Sequence, residues 1–266
     1  MSTRDPAVAG LFYPAEATKL HSMVENFLAE APPASDSSPK PRALIVPHAG
    51  YVYSGSTAAL AYSLWRDSDI EHVVIVGPTH RVGIRAVALP EAKAMATPLG
   101  DVPVWTEGVA AIADLPQVEV SAVVHAQEHS LEVQLPFLQC LLPQADVLPL
   151  AAGWVAPELV AEIIETVWAT PKLGLVISSD LSHYLGYDEA KLVDQATLER
   201  ILALDATIDH EQACGATGIN SLLLIAARHQ LVPKLIQACN SGDTAGDKRR
   251  VVGYAALAFY QDGETS

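Results

Sequence analysis

Apolar residues along this chain gather into short β-branched runs separated by longer stretches with helical spacing. Ala43 to Pro47 (ALIVP) reads as a strand that ends at His48. Ser56 to Arg66 is rich in alanine and leucine and predicts a helix. His72 to Gly77 (HVVIVG) is a β-branched strand running into GPTH, and Ala86 to Pro90 and the stretch to Trp105 predict shorter strands around a turn. Ser130 to Leu142 places Leu131, Leu135, Leu138 and Leu142 at helical spacing, with Pro136 predicting a kink or a break inside it. Asp146 to Ala151 predicts a strand, Pro157 to Thr170 a helix with its proline in the tolerated first turn, and Leu173 to Ser178 (LGLVIS) a buried strand. Asp188 to Leu204 and Gly218 to Gln230 predict helices, and Leu231 to Ala238 and Val251 to Tyr260 closing strands.

Fully apolar strands bounded by helices imply a sheet covered on both faces. The expected class is therefore α/β, a three-layer αβα arrangement with a mostly parallel or mixed central sheet. In such sheets the ligand crevice lies beyond the carboxyl ends of the strands. Ala31 to Pro41 (APPASDSSPKP) has no periodicity and reads as a flexible loop between an opening segment and the main body. With no second linker and no fixed-period repeat, residues 1–266 read as one domain.

Composition narrows the function. Half the residues are hydrophobic and 18% are charged, a globular balance. The net charge of −15 argues against binding nucleic acid or an anionic membrane surface. Three cysteines do not make a disulfide framework, which fits the reducing cytoplasm. The first residues, MSTRDPAVAGLFYP, carry charge at once and lack an apolar core, so no signal peptide is expected. No uncharged apolar run reaches the ~18 residues that a membrane-spanning helix needs.

The residues that follow the apolar strands carry the candidate chemistry. ALIVP delivers His48, HVVIVGPT delivers His80, and LGLVISS delivers Asp180 with His183 three residues on. A core strand has no structural need to finish in an imidazole, and three strands delivering His or Asp at one sheet end suggests a site. A further cluster, HAQEHSLE, holds His125, Glu128, His129 and Glu132. Glu128 and Glu132 share a face if the helix begins this early, and His125 and His129 have a spacing able to chelate one ion, although H-E-x-x-H is absent. The plainer reading makes Glu128 and His129 a hydrogen-bonded helix start with Ser130 near the cap.

Cys214, in ACGATGI, precedes a predicted helix, where a thiol pKa is expected to fall; the plainer reading is a small buried hydrophobe. Cys140 and Cys239 fit that second reading better. His21, His72, His210 and His229 read as surface or satisfied structural residues. Tyr51 and Tyr53 are either hydrogen-bond donors to an anion or aromatic walls, and Gly50 and Gly55 suggest a sharp turn.

Taken together, RDPAVAGLFYP, PHAGYVYSG, GPTH, EHSLEVQLPFLQ, SSDLSHY, the Cys214-Gly215 turn, SGDTAGD and VVGYAA resemble the Memo family, whose prokaryotic members are also called AmmeMemoRadiSam system protein B, from about Arg4 to Phe259. The resemblance implies a fold like the LigB-like class III extradiol dioxygenases. It also implies a pocket lined by two histidines and a cysteine, here His48, His80 and Cys214, with Asp180 and His183 beside it. Iron or copper is the implied metal, with zinc as an alternative. The implied activity is that of a dioxygenase-like oxidoreductase on an unknown small molecule or peptide, and the implied partners are radical-SAM and AMMECR-type proteins. Dioxygenases of that fold use two histidines and a carboxylate; a thiolate in third place departs from them and counts against catechol cleavage, unless Glu128 or Asp180 supplies the carboxylate.

Three readings follow. In an oxidoreductase, His183 serves as general acid/base because its ordinary pKa is near neutrality, with Asp180, Glu128 and His129 as further candidate catalytic groups. In a non-catalytic module, the same pocket binds a peptide or small anion. In the third, the chain is an accessory to a radical-SAM protein and is not itself that enzyme, since it lacks a C-x3-C-x2-C motif. A zinc hydrolase also fits two histidines, a third ligand and water. A phosphate loop and a serine-hydrolase elbow are absent.

Overall fold

A computed structural model describes residues 2–32 and 39–263. In chain order the elements are β1 (Thr3–Arg4), α1 (Ala17–Glu30), β2 (Ala43–Val46), α2 (Tyr51–Tyr62), β3 (His72–Pro78), β4 (Val87–Leu89), β5 (Ala94–Thr97) and β6 (Gly100–Pro103). They continue with α3 (Thr106–Ile112), β7 (Val118–Val120), α4 (Ala122–Ala126), α5 (Leu135–Leu141), β8 (Asp146–Ala152) and α6 (Pro157–Trp168). The last are β9 (Leu173–Ser178), β10 (His183–Leu185), α7 (Tyr187–Leu202), α8 (Ala216–His229), β11 (Leu231–Asn240) and β12 (Val251–Gln261). The expected loop at 31–41 falls partly outside the described residues.

The main sheet is mixed and runs β10-β12-β2-β9-β3-β8-β4-β7, with β11 paired along β12. Its centre, β2, β9, β3 and β8, is parallel, while β12 runs antiparallel to β2. Alternation along the strands sorts their side chains onto two faces. Ala43, Ile45, Val74, Val76, Leu175 and Ile177 pack toward α6 and α8. Leu44, Val46, Val73, Ile75 and Val176 pack toward α1, α2 and α5. Helices on both faces make the expected three-layer αβα fold. Because β2, β3 and β9 are parallel, the segments after them, which begin at Pro47, Thr79 and Ser179, emerge at one end of the sheet.

The N-terminal third departs most from expectation. α1 buries Leu20, Val24 and Leu28 at helical spacing, and a small sheet β1-β5-β6 lies outside the main one. Pro136 does not kink a long helix. A single 3-10 turn, Glu132–Gln134, leads into α5, and Pro136 occupies its first turn, where no N–H is needed. Neither Gly50 nor Gly55 takes the positive φ that a glycine turn would use. Gly50 has φ −57, and Gly55 lies within α2, where an added Cβ would stand 2.6 Å from the Phe27 ring. Close packing of α1 on α2, not backbone freedom, is what requires a hydrogen at that position.

Candidate metal centre

His48 and His80 meet with ring centroids 5.1 Å apart, and each is fixed by a hydrogen bond on the far side of its ring. Ser178, the last residue of β9, orients the first. Its Oγ donates to Ser130 O at 2.5 Å and accepts from Gln134 Nε2 at 2.8 Å. With its one proton committed, Oγ can only accept at its 3.0 Å contact with His48 Nδ1. His48 therefore carries its proton on Nδ1 and turns the Nε2 lone pair toward Cys214 Sγ, 3.2 Å away. Burial keeps the ring neutral by driving its pKa well below the ordinary histidine value.

Glu128 orients the second histidine. It accepts the His80 backbone N–H at 2.5 Å and the ring Nδ1–H at 3.0 Å, and also the N–H groups of His129 and Ser130, each at 2.9 Å. Burial raises the pKa of this carboxylate, but the hydrogen bonds and charge from His80 and the backbone donors outweigh it and bring the value down to about 2. His80, like His48, then holds Nδ1–H outward and Nε2 inward. Donor atoms of His48, His80 and Cys214 lie within 4.8 Å of one another. The structure thus brings together the three residues expected as ligands.

Cys214 precedes α8, but the expected fall in its pKa does not follow. Burial, reinforced by Asp180, pushes the thiol up to about 12, because desolvation of a thiolate exceeds what a helix N-terminus returns. A cation is what would draw the proton from this sulfur. Gly215 has φ −91, so no left-handed turn explains it. A Cβ there would meet Ser179 Cβ at 2.6 Å and Ser178 O at 2.8 Å. That close approach seats the start of α8 on the end of β9.

The other expected residues divide. His129 belongs to the cluster, its ring centroid 4.5 Å from that of His80 and 5.5 Å from that of His48. Its Nδ1 lies 3.3 Å from Glu128 Oε1 without forming a hydrogen bond, and burial lowers its pKa to about 4. Asp180 is buried beside the centre but faces the backbone, accepting the His48 N–H at 2.8 Å; desolvation raises it to about 7. His183 donates Nδ1–H to Leu181 O at 2.8 Å and lines, with His80, His210 and Cys214, a cavity of about 660 Å³. Exposed Tyr184, at its mouth, takes φ 62, a left-handed conformation unusual for a bulky residue.

Two expectations are corrected. Glu128 and Glu132 do not share a helix face, because no helix spans 127–131. Glu128 turns to His80, whereas Glu132 pairs with Arg4 and accepts from Tyr13 Oη, Ala7 N and Val8 N. His125 and His129 do not chelate together: His125 lies in α4 and donates Nε2–H to Ala88 O at 2.9 Å. Tyr51 is an aromatic wall, against Tyr13 and Phe137, with its hydroxyl donated to Val133 O. His210 is exposed, as expected, but it also borders the cavity, its Nδ1 3.2 Å from Cys214 O. The orienting residues Ser178 and Gln134 went unread in the sequence, where their signal is no more than two polar positions among apolar ones.

A family model described as Memo-like protein matches residues 4–258. The chain belongs to the Memo family. It is 36% identical to a MEMO1 family protein of Archaeoglobus fulgidus over 96% of this chain and 99% of that one. A MEMO1 family protein of Aquifex aeolicus is 34% identical over 97% of this chain and all of its own length, and one of Ignicoccus hospitalis is 36% identical over 97% and 99%. Among the described residues of this Memo-family chain, no helix is long and apolar enough to cross a membrane.

Proposed function

We propose that this Memo-family chain is a metal-dependent oxidoreductase, dioxygenase-like, whose ion is held by His48, His80 and Cys214. One observation carries the reading: two imidazoles, each tethered through Nδ1, bring donor atoms within 4.8 Å of one another and of a shared thiol. Metal-binding histidines characteristically give their other N–H to a carboxylate or another fixed acceptor, and here Glu128 and Ser178 take that place. An apolar core has no use for two tethered imidazoles gathered around a sulfur.

The donor set fits iron or copper, and it also suits zinc. The ion, when bound, supplies redox or Lewis-acid chemistry. Glu128 and Ser178 set the direction of the two rings. Asp180 positions the turn after β2 by accepting from the His48 backbone. His183, with Nδ1–H committed to Leu181 O and its pKa lowered by burial, presents a neutral Nε2 and is assigned as the proton acceptor for a substrate in the cavity.

Elemental analysis of anaerobically purified protein tests the metal, and His183→Ala tests the chemistry. Stoichiometric iron or copper that is lost in His48→Ala, and turnover of an aromatic diol or another redox substrate that is abolished in His183→Ala, are expected. Metal content unchanged in His48→Ala contradicts the reading.

A further inference from the structure

We infer a second metal site, for a divalent ion of the zinc class, built from His21, Glu25 and Cys140. These three side chains each place a ligand atom within 4.8 Å of the others. They come from two elements. His21 and Glu25 are four residues apart on α1, so they share one face of the helix. Cys140 stands near the end of α5. The inward stripe of α1, Leu20, Val24 and Leu28, packs into the same core as Leu135, Phe137 and Leu138 of α5. His21 and Glu25 each follow a residue of that stripe by one position, at its margin.

The donor set is one nitrogen, one oxygen and one sulfur, the mixture that zinc takes in tetrahedral sites, with water in the fourth position. Atoms around such an ion stand about 3.4–3.8 Å apart, as bond lengths of about 2.0–2.3 Å require. Rotamer adjustment of His21 and Glu25, both at the surface, closes the set from the distances seen. Cys140 is partly buried, and the Glu25 carboxylate lies against its thiol. A dication placed between them satisfies both, replaces the thiol proton and ties α1 to α5. None of these residues belongs to the centre at the strand ends, and the two sites stand or fall separately.

Zinc(II) titration of the full chain carrying His48→Ala and Cys214→Ser, stripped of metal with chelator, tests the site. One zinc ion per chain is expected to bind, and cobalt(II) in its place is expected to give a thiolate charge-transfer band that Cys140→Ser removes. His21→Gln, a surface change, is expected to weaken zinc at least about tenfold, since even the loss of an outer-shell partner costs about 10–100-fold. The same His21→Gln change in the otherwise native chain should lower zinc stoichiometry by one ion with an unaltered circular dichroism spectrum, which gives the answer even if the double variant does not fold. Absence of zinc binding in a folded double variant, or binding indifferent to both Cys140→Ser and His21→Gln, overturns the inference. Failure of the centre at His48 instead shows as native protein whose iron or copper content is unaffected by Cys214→Ser.

Discussion

Glu128 grips His80 twice, taking the backbone N–H on Oε2 at 2.5 Å and the ring Nδ1–H on Oε1 at 3.0 Å. One carboxylate therefore fixes both where the residue sits and which way its imidazole faces. Glutamine keeps the size but offers a single acceptor oxygen and turns an NH2 group toward donors. Glu128→Gln is expected to weaken metal binding by about 10–100-fold, as losses of orienting groups do. Competition with a chelator of known affinity reads the change, and unchanged affinity would show that the double grip is structural only.

Gly215 lies against Ser178 O, a backbone atom, and Ser179 Cβ, which is held directly by the backbone. Gly215→Ala is expected to cost about 1–3 kcal/mol by overpacking and to displace Cys214 from His48. Urea unfolding and metal affinity should worsen together. A loss of stability with full affinity would mean that the strain is absorbed away from the centre.

Glu132 is fully buried and neutralises Arg4, itself almost buried, while holding the backbone of Ala7 and Val8. Removing one partner of such a pair leaves a buried charge uncompensated, at about 3–5 kcal/mol. Glu132→Ala is therefore expected to destabilise the chain by that order in chemical denaturation. A change below about 1 kcal/mol would place the Arg4 charge in water.

The metal-free protein should lose stability on acidification. Burial lowers His125 and His129 to about 4, and it also lowers His48 and His183. The unfolded chain takes up these protons first, near the ordinary value of about 6.5. The stabilisation is thus present above about pH 6.5 and is lost as pH falls toward about 4. Asp180, raised to about 7, acts oppositely across much of that window, but the histidines outnumber it. Urea midpoints lower at about pH 5 than at about pH 7.5 are expected; equal midpoints would mean that these rings protonate freely in the fold.

The strands were legible because apolar runs with β-branched residues have no other good use. Parallel strands then made the positions of His48, His80, Asp180 and His183 readable as one sheet end. What lay beyond reading depended on distance in space. Ser178 and Gln134 orient His48 from across the core, and nothing local marks them. Arg4 meets Glu132 across most of the chain's first half. For Cys214 the sequence allows both an easily ionised thiol at a helix start and a small buried hydrophobe, because it shows the helix and not the burial that decides between them. Gly55 was read as a turn because a ring 2.6 Å from its absent Cβ leaves no trace in the sequence.

X-ray absorption at the metal edge of iron- or copper-loaded protein tests the centre most directly, in a chain carrying Cys140→Ser so that the α1–α5 cluster offers no sulfur. One sulfur and at least two imidazole nitrogens in the first shell, with the sulfur lost in Cys214→Ser, is the predicted result. A first shell of nitrogen and oxygen alone, identical with and without Cys214, would contradict the account.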